Sequence, residues 1–340
     1  MAEVEKVMTI SAGDIEKIMN IATDDIEKLN TFDWPASGVA WAGTRGIQFG
    51  GRVNDSVSNQ IGYRTIQSSS DTQDFGNLVV ARERGGGASS NITRGIMGDG
   101  SPGTGPYSIG VMDYVTIGTT DDAGDFGDIT GESVGSDAAH MSNGTLAFIG
   151  GGFKLADTYW AKDMSYVTIA STGDSTGAGD IFEATNFCGS TSGDSRGLIW
   201  TGYDSTTQGI TTIQYITFHT SNNGADFGDA TGSMTGAAFG SQTRSVHGHG
   251  KFVSGSTTNL NEIEFVTVAS TSGAGTFGDQ HVSVTNFCGL SDGTRGEWWY
   301  GDASIGYVTI ASEGNATEGS EVVAAATGTT EFNNSGTSGT

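Results

Sequence analysis

The hexapeptide MSYVTI, at Met164–Ile169, has five near copies elsewhere in the chain. Aromatic and β-branched residues that alternate with smaller or polar ones are typical of a half-buried β-strand. The six copies are IGYRTI (Ile61–Ile66), MDYVTI (Met112–Ile117), MSYVTI (Met164–Ile169), IQYITF (Ile213–Phe218), IEFVTV (Ile263–Val268) and IGYVTI (Ile305–Ile310). Their central aromatic residues, at positions 63, 114, 166, 215, 265 and 307, are 42 to 52 residues apart.

Two further motifs recur in phase with the hexapeptide. One follows it and reads DFGN (Asp74–Asn77), DFGD (Asp125–Asp128), GAGD (Gly177–Asp180), DFGD (Asp226–Asp229), TFGD (Thr276–Asp279) and a degenerate EGSE (Glu318–Glu321). The other is the start of a strand, with arginine at Arg45, Arg94, Arg196, Arg244 and Arg295. In the third unit Asn143-Gly144 stands where Arg-Gly is expected. The chain from about residue 35 onward therefore consists of six copies of one unit of about 50 residues.

Five of the nine arginines thus share one position of the repeat. A solvated surface charge does not need such a fixed phase, so we expect each guanidinium to be partly buried. It would bridge two units by hydrogen bonds to carbonyl oxygens or to the carboxylate of the FGD motif. An exposed charge on an edge strand is the alternative.

Units of this length, each with room for three or four short strands, are typical of propeller blades rather than of solenoid coils. The sequence therefore predicts an all-β fold, a six-bladed β-propeller with kelch-like repeats over residues 37–340. The first unit begins with TRGIQFGG (Thr44–Gly51) and lacks a preceding strand, while the last unit stops where an Arg-Gly strand is due. We expect the segment Glu321–Asn333 to lie beside Thr44–Gly51 and to close the ring, which removes exposed sheet edges.

Composition limits the partners. The chain has 340 residues, with 39 acidic and 15 basic residues and a net charge of −24. Nucleic acids and anionic membranes are polyanions that select basic surfaces, so neither is an expected partner. The first residues, MAEVEKVMTI, do not read as an export signal, and no apolar run approaches the length of about 20 residues that a membrane span needs. We expect a protein assembled in the cytoplasm of a cell, without membrane insertion.

Residues 1–36 contain a second, unrelated repeat of eleven residues, followed by a linker with Pro35. The copies are VEKVMTISAGD (Val4–Asp14), IEKIMNIATDD (Ile15–Asp25) and the partial IEKLNTF (Ile26–Phe32). Eleven residues make three helical turns, so apolar residues recur on one face. We predict two short α-helices, near residues 12–19 and 23–30. Such a stripe is too small to form its own core, so it must dock on the propeller, on sister chains or on another protein. The docking residues are Val4, Val7, Ile15, Ile18, Ile21, Ile26 and Leu29.

The sequence contains no recognisable catalytic constellation, and we expect no enzyme. Cys188 and Cys288 both lie in a TNFCG pentapeptide and are predicted to be buried, reduced thiols. His247 and His249 could share a metal ion, but no third ligand is apparent, and an exposed loop is the favoured interpretation.

Two groups of residues are candidates for ligand binding. A calcium ion is one interpretation of the acidic turn Asp121, Asp122, Asp125 and Asp128, and capping of the turn backbone is the favoured alternative. Stacking on glycans is one interpretation of Trp200, Trp298 and Trp299, and packing between blades is the favoured alternative.

The DIEKIMNIA-type repeat (Asp14–Ala22), together with YVTIASTG, FGD and TRG motifs in phase, resembles structural proteins of tailed bacteriophages, especially marine, cyanophage-type phages. These proteins belong to the tail-fibre or decoration class and have kelch-like repeats. The resemblance implies a virion protein in which residues 1–32 attach to other virion proteins. The ring would be displayed outward, in several copies, for contact with a host surface glycan or protein. The alternatives are a head or neck decoration protein, a lectin-like carbohydrate-binding propeller, and an enzyme built around the central channel.

Overall fold

A computed structural model describes residues 43–322 and 335–339, apart from 54–55, 86, 104–107, 131–135, 155–158, 194, 205, 207–208, 219–222, 233, 253–259, 284–286 and 301–303. All of these residues belong to one compact unit, Gly38–Thr340. The predicted N-terminal helices and all seven docking residues lie outside the described part of the chain.

The repeat unit folds as a four-stranded antiparallel sheet, with strands numbered here in chain order. Blade 1 consists of β28 (Ser335–Gly339), β1 (Arg45–Phe49), β4 (Gln60–Thr65) and β5 (Gln73–Asn77). Blade 2 consists of β6 (Ser89–Ser90), β7 (Arg94–Gly98), β8 (Val111–Thr116) and β9 (Gly124–Asp128). Blade 3 consists of β10 (Ala139–Ser142), β11 (Leu146–Gly150), β14 (Asp163–Thr168) and β15 (Thr176–Asp180).

The remaining three blades repeat this order. Blade 4 consists of β16 (Gly189–Ser192), β17 (Arg196–Tyr203), β18 (Gly209–Thr217) and β19 (Ala225–Asp229). Blade 5 consists of β20 (Met234–Gly240), β21 (Arg244–Phe252), β22 (Glu262–Thr267) and β23 (Gly275–Asp279). Blade 6 consists of β24 (Phe287–Ser291), β25 (Arg295–Tyr300), β26 (Ser304–Thr309) and β27 (Thr317–Glu321). Two small hairpins join β2 (Arg52–Val53) to β3 (Ser56–Val57) and β12 (Phe153–Lys154) to β13 (Tyr159–Trp160).

The first strand of each sheet faces the axis of a closed ring. Strand β6 contacts β10, and the contacts continue through β16, β20, β24 and β28 back to β6. The Arg-Gly motif begins the second strand, the hexapeptide forms the third, and the FGD motif forms the outermost. The all-β, six-bladed propeller predicted from the sequence is confirmed.

The ring is closed by a strand near the C-terminus, although not by the predicted segment. Strand β28 pairs antiparallel with β1, with Arg45 opposite Gly339. Glu321 instead belongs to the outermost strand of blade 6, and residues 323–334 lie outside the described residues. The start of the predicted segment is already used by blade 6, because Glu321 pairs with Ser304 in its outermost strand.

Neighbouring blades also approach closely at the rim. Gly127, in the FGD motif of blade 2, has a φ of 138°. A Cβ there would lie 2.6 Å from the carbonyl carbon of Gly173 in blade 3. Only glycine combines this backbone conformation with such an approach, which explains the glycine of the motif. Within the described ranges, no helix has the length and apolar character needed to cross a membrane.

Candidate functional site

The repeated arginines lie between blades. Four of the five guanidinium groups donate a hydrogen bond to a carbonyl of the following blade. The bonds join Arg45 to Ile117 (2.7 Å), Arg94 to Ile169 (2.9 Å), Arg196 to Val268 (3.3 Å) and Arg244 to Ile310 (3.2 Å). Each of the five is half-buried and stacks on the central aromatic of its own blade, at 3.4 to 4.5 Å from the ring centre. Cation–π stacking and a carbonyl acceptor explain why this position keeps its phase.

In the third blade, the register corrects the sequence alignment. Leu146 pairs with Thr168 as Arg45 pairs with Thr65, so Leu146 rather than Asn143 occupies the arginine position. Asn143 lies in the preceding turn, where its Oδ1 accepts hydrogen bonds from the backbone N–H groups of Thr145 and Leu146. An asparagine in this role caps the turn before a strand. Because Asn143-Gly144 lies so close to the strand, the sequence alignment took it for the first residues of the strand.

Trp200, Trp298 and Trp299 are fully buried, which favours packing between blades, the interpretation already preferred from the sequence, over stacking on glycans. The Nε1–H groups donate to Ser245 Oγ for Trp200 (2.8 Å), to the Ala237 carbonyl for Trp298 (3.1 Å) and to Glu297 Oε2 for Trp299 (3.0 Å). A buried indole needs such an acceptor. Blade 5 supplies it for Trp200 and Trp298, and the residue's own strand supplies it for Trp299.

The acidic turns link five of the six blades to the preceding one. Asp122 Oδ1 accepts the backbone N–H of Asn77 at 2.8 Å, across the interface between blades 1 and 2. The equivalent residues of other blades make the same bond: Asp174 to Asp128, Asn223 to Asp180, Asn315 to Asp279 and Asp71 to Glu321.

Two more of the predicted calcium ligands also accept hydrogen bonds from backbone N–H groups. Asp121 Oδ1 accepts the N–H of Asp122, and Asp125 Oδ1 accepts the N–H of Gly127. In the described part of the chain, no group of three or more His, Cys, Asp or Glu side chains is arranged to hold a metal ion. These contacts favour turn capping for the acidic cluster.

The paired histidines lie in strand β21, not in an exposed loop as expected, and both are fully buried. His249 Nε2 lies 2.9 Å from Glu264 Oε2, and His247 stacks on Trp200 with 5.1 Å between ring centres. Burial, together with the nearby His249, lowers the pKa of His247 well below its usual value. The alternation of the strand places both rings on the same side, and the stacking of His247 on Trp200 shows that this side faces the preceding blade. The glycine-rich sequence around the two histidines concealed this.

The cysteine prediction is confirmed. Cys188 and Cys288 are free and buried, and burial raises the pKa of each thiol to about 12. Both are therefore uncharged packing residues at any physiological pH.

Sequence reasoning missed a cluster formed by Arg84, Asp137 and Phe187. These residues have φ values of 58°, 60° and 54°, although none is glycine. Each directly follows a residue in an isolated β-bridge, through which the segment that enters a blade pairs with a residue beyond or at the end of that blade's second strand. The three residues therefore occupy equivalent positions before blades 2, 3 and 4. Backbone conformations of this kind are uncommon outside glycine, Asn and Asp, and recur at functional sites. The loops differ in sequence, so only the strands reveal their equivalence.

In this Arg84–Asp137–Phe187 cluster, a guanidinium joins an aromatic ring to a carboxylate. The Arg84 Cζ lies 5.2 Å from the centre of the Phe187 ring, and its Nη1 lies 3.8 Å from Asp137 Oδ2. Arg84 and Phe187 are half-buried, whereas Asp137 is fully buried. Burial raises the pKa of Asp137 to about 7, against the opposing effect of Arg84. A half-exposed guanidinium beside an aromatic face offers both donors and a stacking surface to a polar ligand.

Two further buried titratable groups lie in blades 2 and 3. Asp99, with a φ of 57°, accepts hydrogen bonds from Ser108 Oγ and from the N–H groups of Ile109 and Gly110. Burial raises its pKa to about 6 despite these donors. His140, in β10, has its pKa lowered to about 3 by burial.

No protein-family model and no curated protein matches this chain.

Proposed function

We propose that the chain is a non-enzymatic structural protein of a tailed-bacteriophage particle, with kelch-like repeats. Residues 1–36 attach it to other virion proteins, and the propeller is displayed outward as a tail-fibre component for host adhesion. The observation that carries the proposal is the pairing of an amphipathic eleven-residue repeat with in-phase YVTI, FGD and TRG motifs. A free carbohydrate-binding ring would have no need of such an anchor.

The contacts within the ring support a structural role. The repeated arginines, the acidic turns and two of the tryptophans, Trp200 and Trp298, form hydrogen bonds from blade to blade. Functional groups that the sequence suggested for ligands therefore hold the blades together. A net charge of −24 also keeps displayed copies apart in solution, because like-charged surfaces repel.

Anchoring is tested with full-length chains in assembling particles. Ile15→Asp combined with Ile26→Asp places charges in the apolar stripe, whereas Glu16→Gln combined with Glu27→Gln alters the same repeat without doing so. We expect the first pair to be lost from purified particles and the second to be incorporated normally, as measured by quantitative immunoblotting. Normal incorporation of the first pair would rule out this anchor.

Adhesion is distinguished from decoration by competition. Purified protein should slow adsorption of the phage to its host if the ring contacts the cell surface, and should have no effect if the protein decorates the head or neck. The Arg84–Asp137–Phe187 cluster is the first surface to test. Arg84→Asn removes the guanidinium but keeps a residue that tolerates a positive φ. We expect weaker competition from this variant, and unchanged competition from Asp226→Asn, which alters an exposed side chain of the outermost strand of blade 4.

One observation favours a lectin-like activity as the second candidate. The Phe187 ring packs edge-on against Tyr203 at 5.8 Å, and both side chains are half-buried beside Arg84. Aromatic faces next to hydrogen-bond donors suit sugar rings. Binding of the purified protein to a glycan array, abolished by Phe187→Ala, would support this activity with or without a particle.

A further inference from the structure

One of the six blade interfaces differs from the others in chemistry. At five interfaces an apolar residue of a second strand shares a buried cluster with an apolar residue of the next blade's third strand. These pairs are Ile47 with Val115, Ile96 with Val167, Phe148 with Ile216, Leu198 with Val266, and Val246 with Val308. At the interface between blades 6 and 1, here called the closing interface, Glu297 and Arg64 occupy these two positions.

The two charges form a fully buried pair. Arg64 Nη2 lies 3.5 Å from Glu297 Oε1, and neither side chain is exposed. Arg64 also donates to Ser320 Oγ, at 2.6 Å, and to the carbonyl of Ser68. Glu297 accepts the Trp299 indole N–H at 3.0 Å and lies 3.3 Å from Arg295 Nε.

Stability alone does not explain such a pair. Removing two charges from water is unfavourable, and apolar residues of similar size are often as stabilising as a buried ion pair. The other five interfaces are made in that way. Removing one partner, by contrast, leaves a buried charge without its counter-ion and is strongly destabilising. The pair therefore makes each of its two blade faces a poor partner for any face except the other.

The position of the pair in the chain shows where that selectivity is useful. Five interfaces join blades that follow each other directly in sequence, so the covalent connection chooses the partner. The closing interface joins blades whose hexapeptides lie more than 240 residues apart, at Ile61–Ile66 and Ile305–Ile310. Nothing covalent prevents blade 6 from packing on the valine or isoleucine face of a different blade, in the same chain or in another copy.

We propose that Arg64 and Glu297 are a closure-selecting pair that restricts blade 6 to blade 1. Against any other blade, Glu297 would meet Val115, Val167, Ile216, Val266 or Val308 and would lose Arg64, which leaves only the half-buried Arg295 of its own strand as counter-ion. Arg64 would likewise be buried against an apolar residue of any other second strand. Correct closure is the arrangement that satisfies both charges, so misassembled rings and chains linked blade to blade are disfavoured.

The test separates selectivity from stability by refolding full-length variants. The double variant Arg64→Val with Glu297→Leu gives the closing interface the residues of the other interfaces. After dilution from denaturant over a range of protein concentrations, the monomer fraction is measured by size-exclusion chromatography with light scattering. We expect a loss of monomer that is greater than for the wild type and grows with concentration, while the monomer that forms unfolds at or above the wild-type temperature. Each single substitution should lower the unfolding temperature by several degrees.

Two controls keep the result interpretable. Ile47→Leu with Val115→Ile changes an interface between sequential blades and should refold like the wild type. Arg64→Met with Glu297→Gln neutralises both charges with little change in shape and keeps an acceptor for Trp299, so it covers the case in which the first double variant does not fold. A wild-type yield of monomer from a folded, neutralised variant at every concentration would overturn the proposal.

Discussion

At the scale of single residues, the blades are joined by one side chain per repeat. The residue eight positions after the central aromatic is Asp or Asn at positions 71, 122, 174, 223 and 315, and it accepts a backbone N–H of the preceding blade in every one of these cases. Blade 5 has Gly273 there, without a side chain. The aspartates at this position contribute to the chain's acidity, and their role is to join blades rather than to bind a ligand.

Gly273→Asn should therefore raise stability. The side chain can supply the acceptor that blades 4 and 5 lack, and replacing glycine also reduces the freedom of the unfolded chain. A Cβ there lies 3.2 Å from the Asp229 carbonyl, which requires a small adjustment. We expect a gain of about 0.5–1 kcal/mol in the free energy of unfolding, measured with urea. Gly273→Ala is the control for the backbone effect and should gain less; an equal gain would show that no hydrogen bond forms.

Asp137→Asn should change the pH dependence of stability. Burial raises the pKa of Asp137 from 3.8 to about 7, so between these values the folded state binds a proton that the unfolded state releases. Wild-type stability from this group is complete below about pH 4 and is lost as the pH rises to 7. Asn does not titrate and tolerates a positive φ.

The unfolding temperature of the Asn variant, relative to the wild type, should accordingly rise between pH 4 and 7. Thermal unfolding at closely spaced pH values would measure it, with Asp226→Asn, at an exposed position of the outermost strand of blade 4, as the matched control. A difference that stays constant across this window would contradict the raised pKa.

At the scale of elements, the innermost strands are held by hydroxyl groups as well as by apolar packing. Ser142 Oγ donates to the Ser90 carbonyl of blade 2 at 2.6 Å, and Ser192 Oγ of blade 4 accepts the Ser142 N–H at 2.8 Å. Ser291 donates in the same way to Gly240. A strand facing the axis has backbone groups without a fifth strand to pair with, and small hydroxyl residues satisfy them in the space available.

Ser192→Ala should be destabilising out of proportion to its size. It leaves the buried Ser142 N–H without an acceptor, which costs about 1–3 kcal/mol. Ser195→Ala, in an exposed turn three residues away, provides the comparison and should change the free energy of unfolding little. Urea unfolding of both variants is the measurement; similar values would mean that water replaces the lost hydroxyl.

These innermost strands also mark the limit of prediction from sequence. The third strands were recognised because Tyr114 and its equivalents alternate with buried aliphatic residues, and the count of six blades followed. A strand such as GSTS (Gly189–Ser192) has no apolar alternation and reads as a turn. His249 was misplaced in an exposed loop for a related reason, since a polar atom on a ring does not reveal whether its partner is water or another strand.

At the scale of the whole molecule, the chain carries a net charge of −24, and this charge works against compactness. Burial of Arg64, Arg82 and Glu297 takes paired charges out of solvent, while most turn carboxylates stay exposed. Exposed like charges repel each other, and salt screens them over a Debye length of about 10 Å at 0.1 M.

Sodium chloride should consequently raise the unfolding temperature between low ionic strength and about 0.5 M, where the Debye length falls to a few ångströms. The experiment uses chloride because sulfate stabilises proteins by exclusion from their surface. The same titration near pH 5, where the carboxylates begin to take up protons, should give a smaller rise. An unfolding temperature that is insensitive to salt at pH 7 would mean that the exposed acids do not oppose folding.

Because β28 pairs with β1, blade 1 cannot be completed until β28 has been synthesised. Translation adds about 5–20 residues per second, so Ser335–Gly339 are made roughly 15 to 60 seconds after Arg45–Phe49. The first blade to leave the ribosome is thus the last to be finished, and its innermost edge waits unpaired while the other five are made. A copy that loses its final residues to premature termination or to a protease keeps that edge open. The ring can therefore close only if the messenger RNA has been translated as far as this strand.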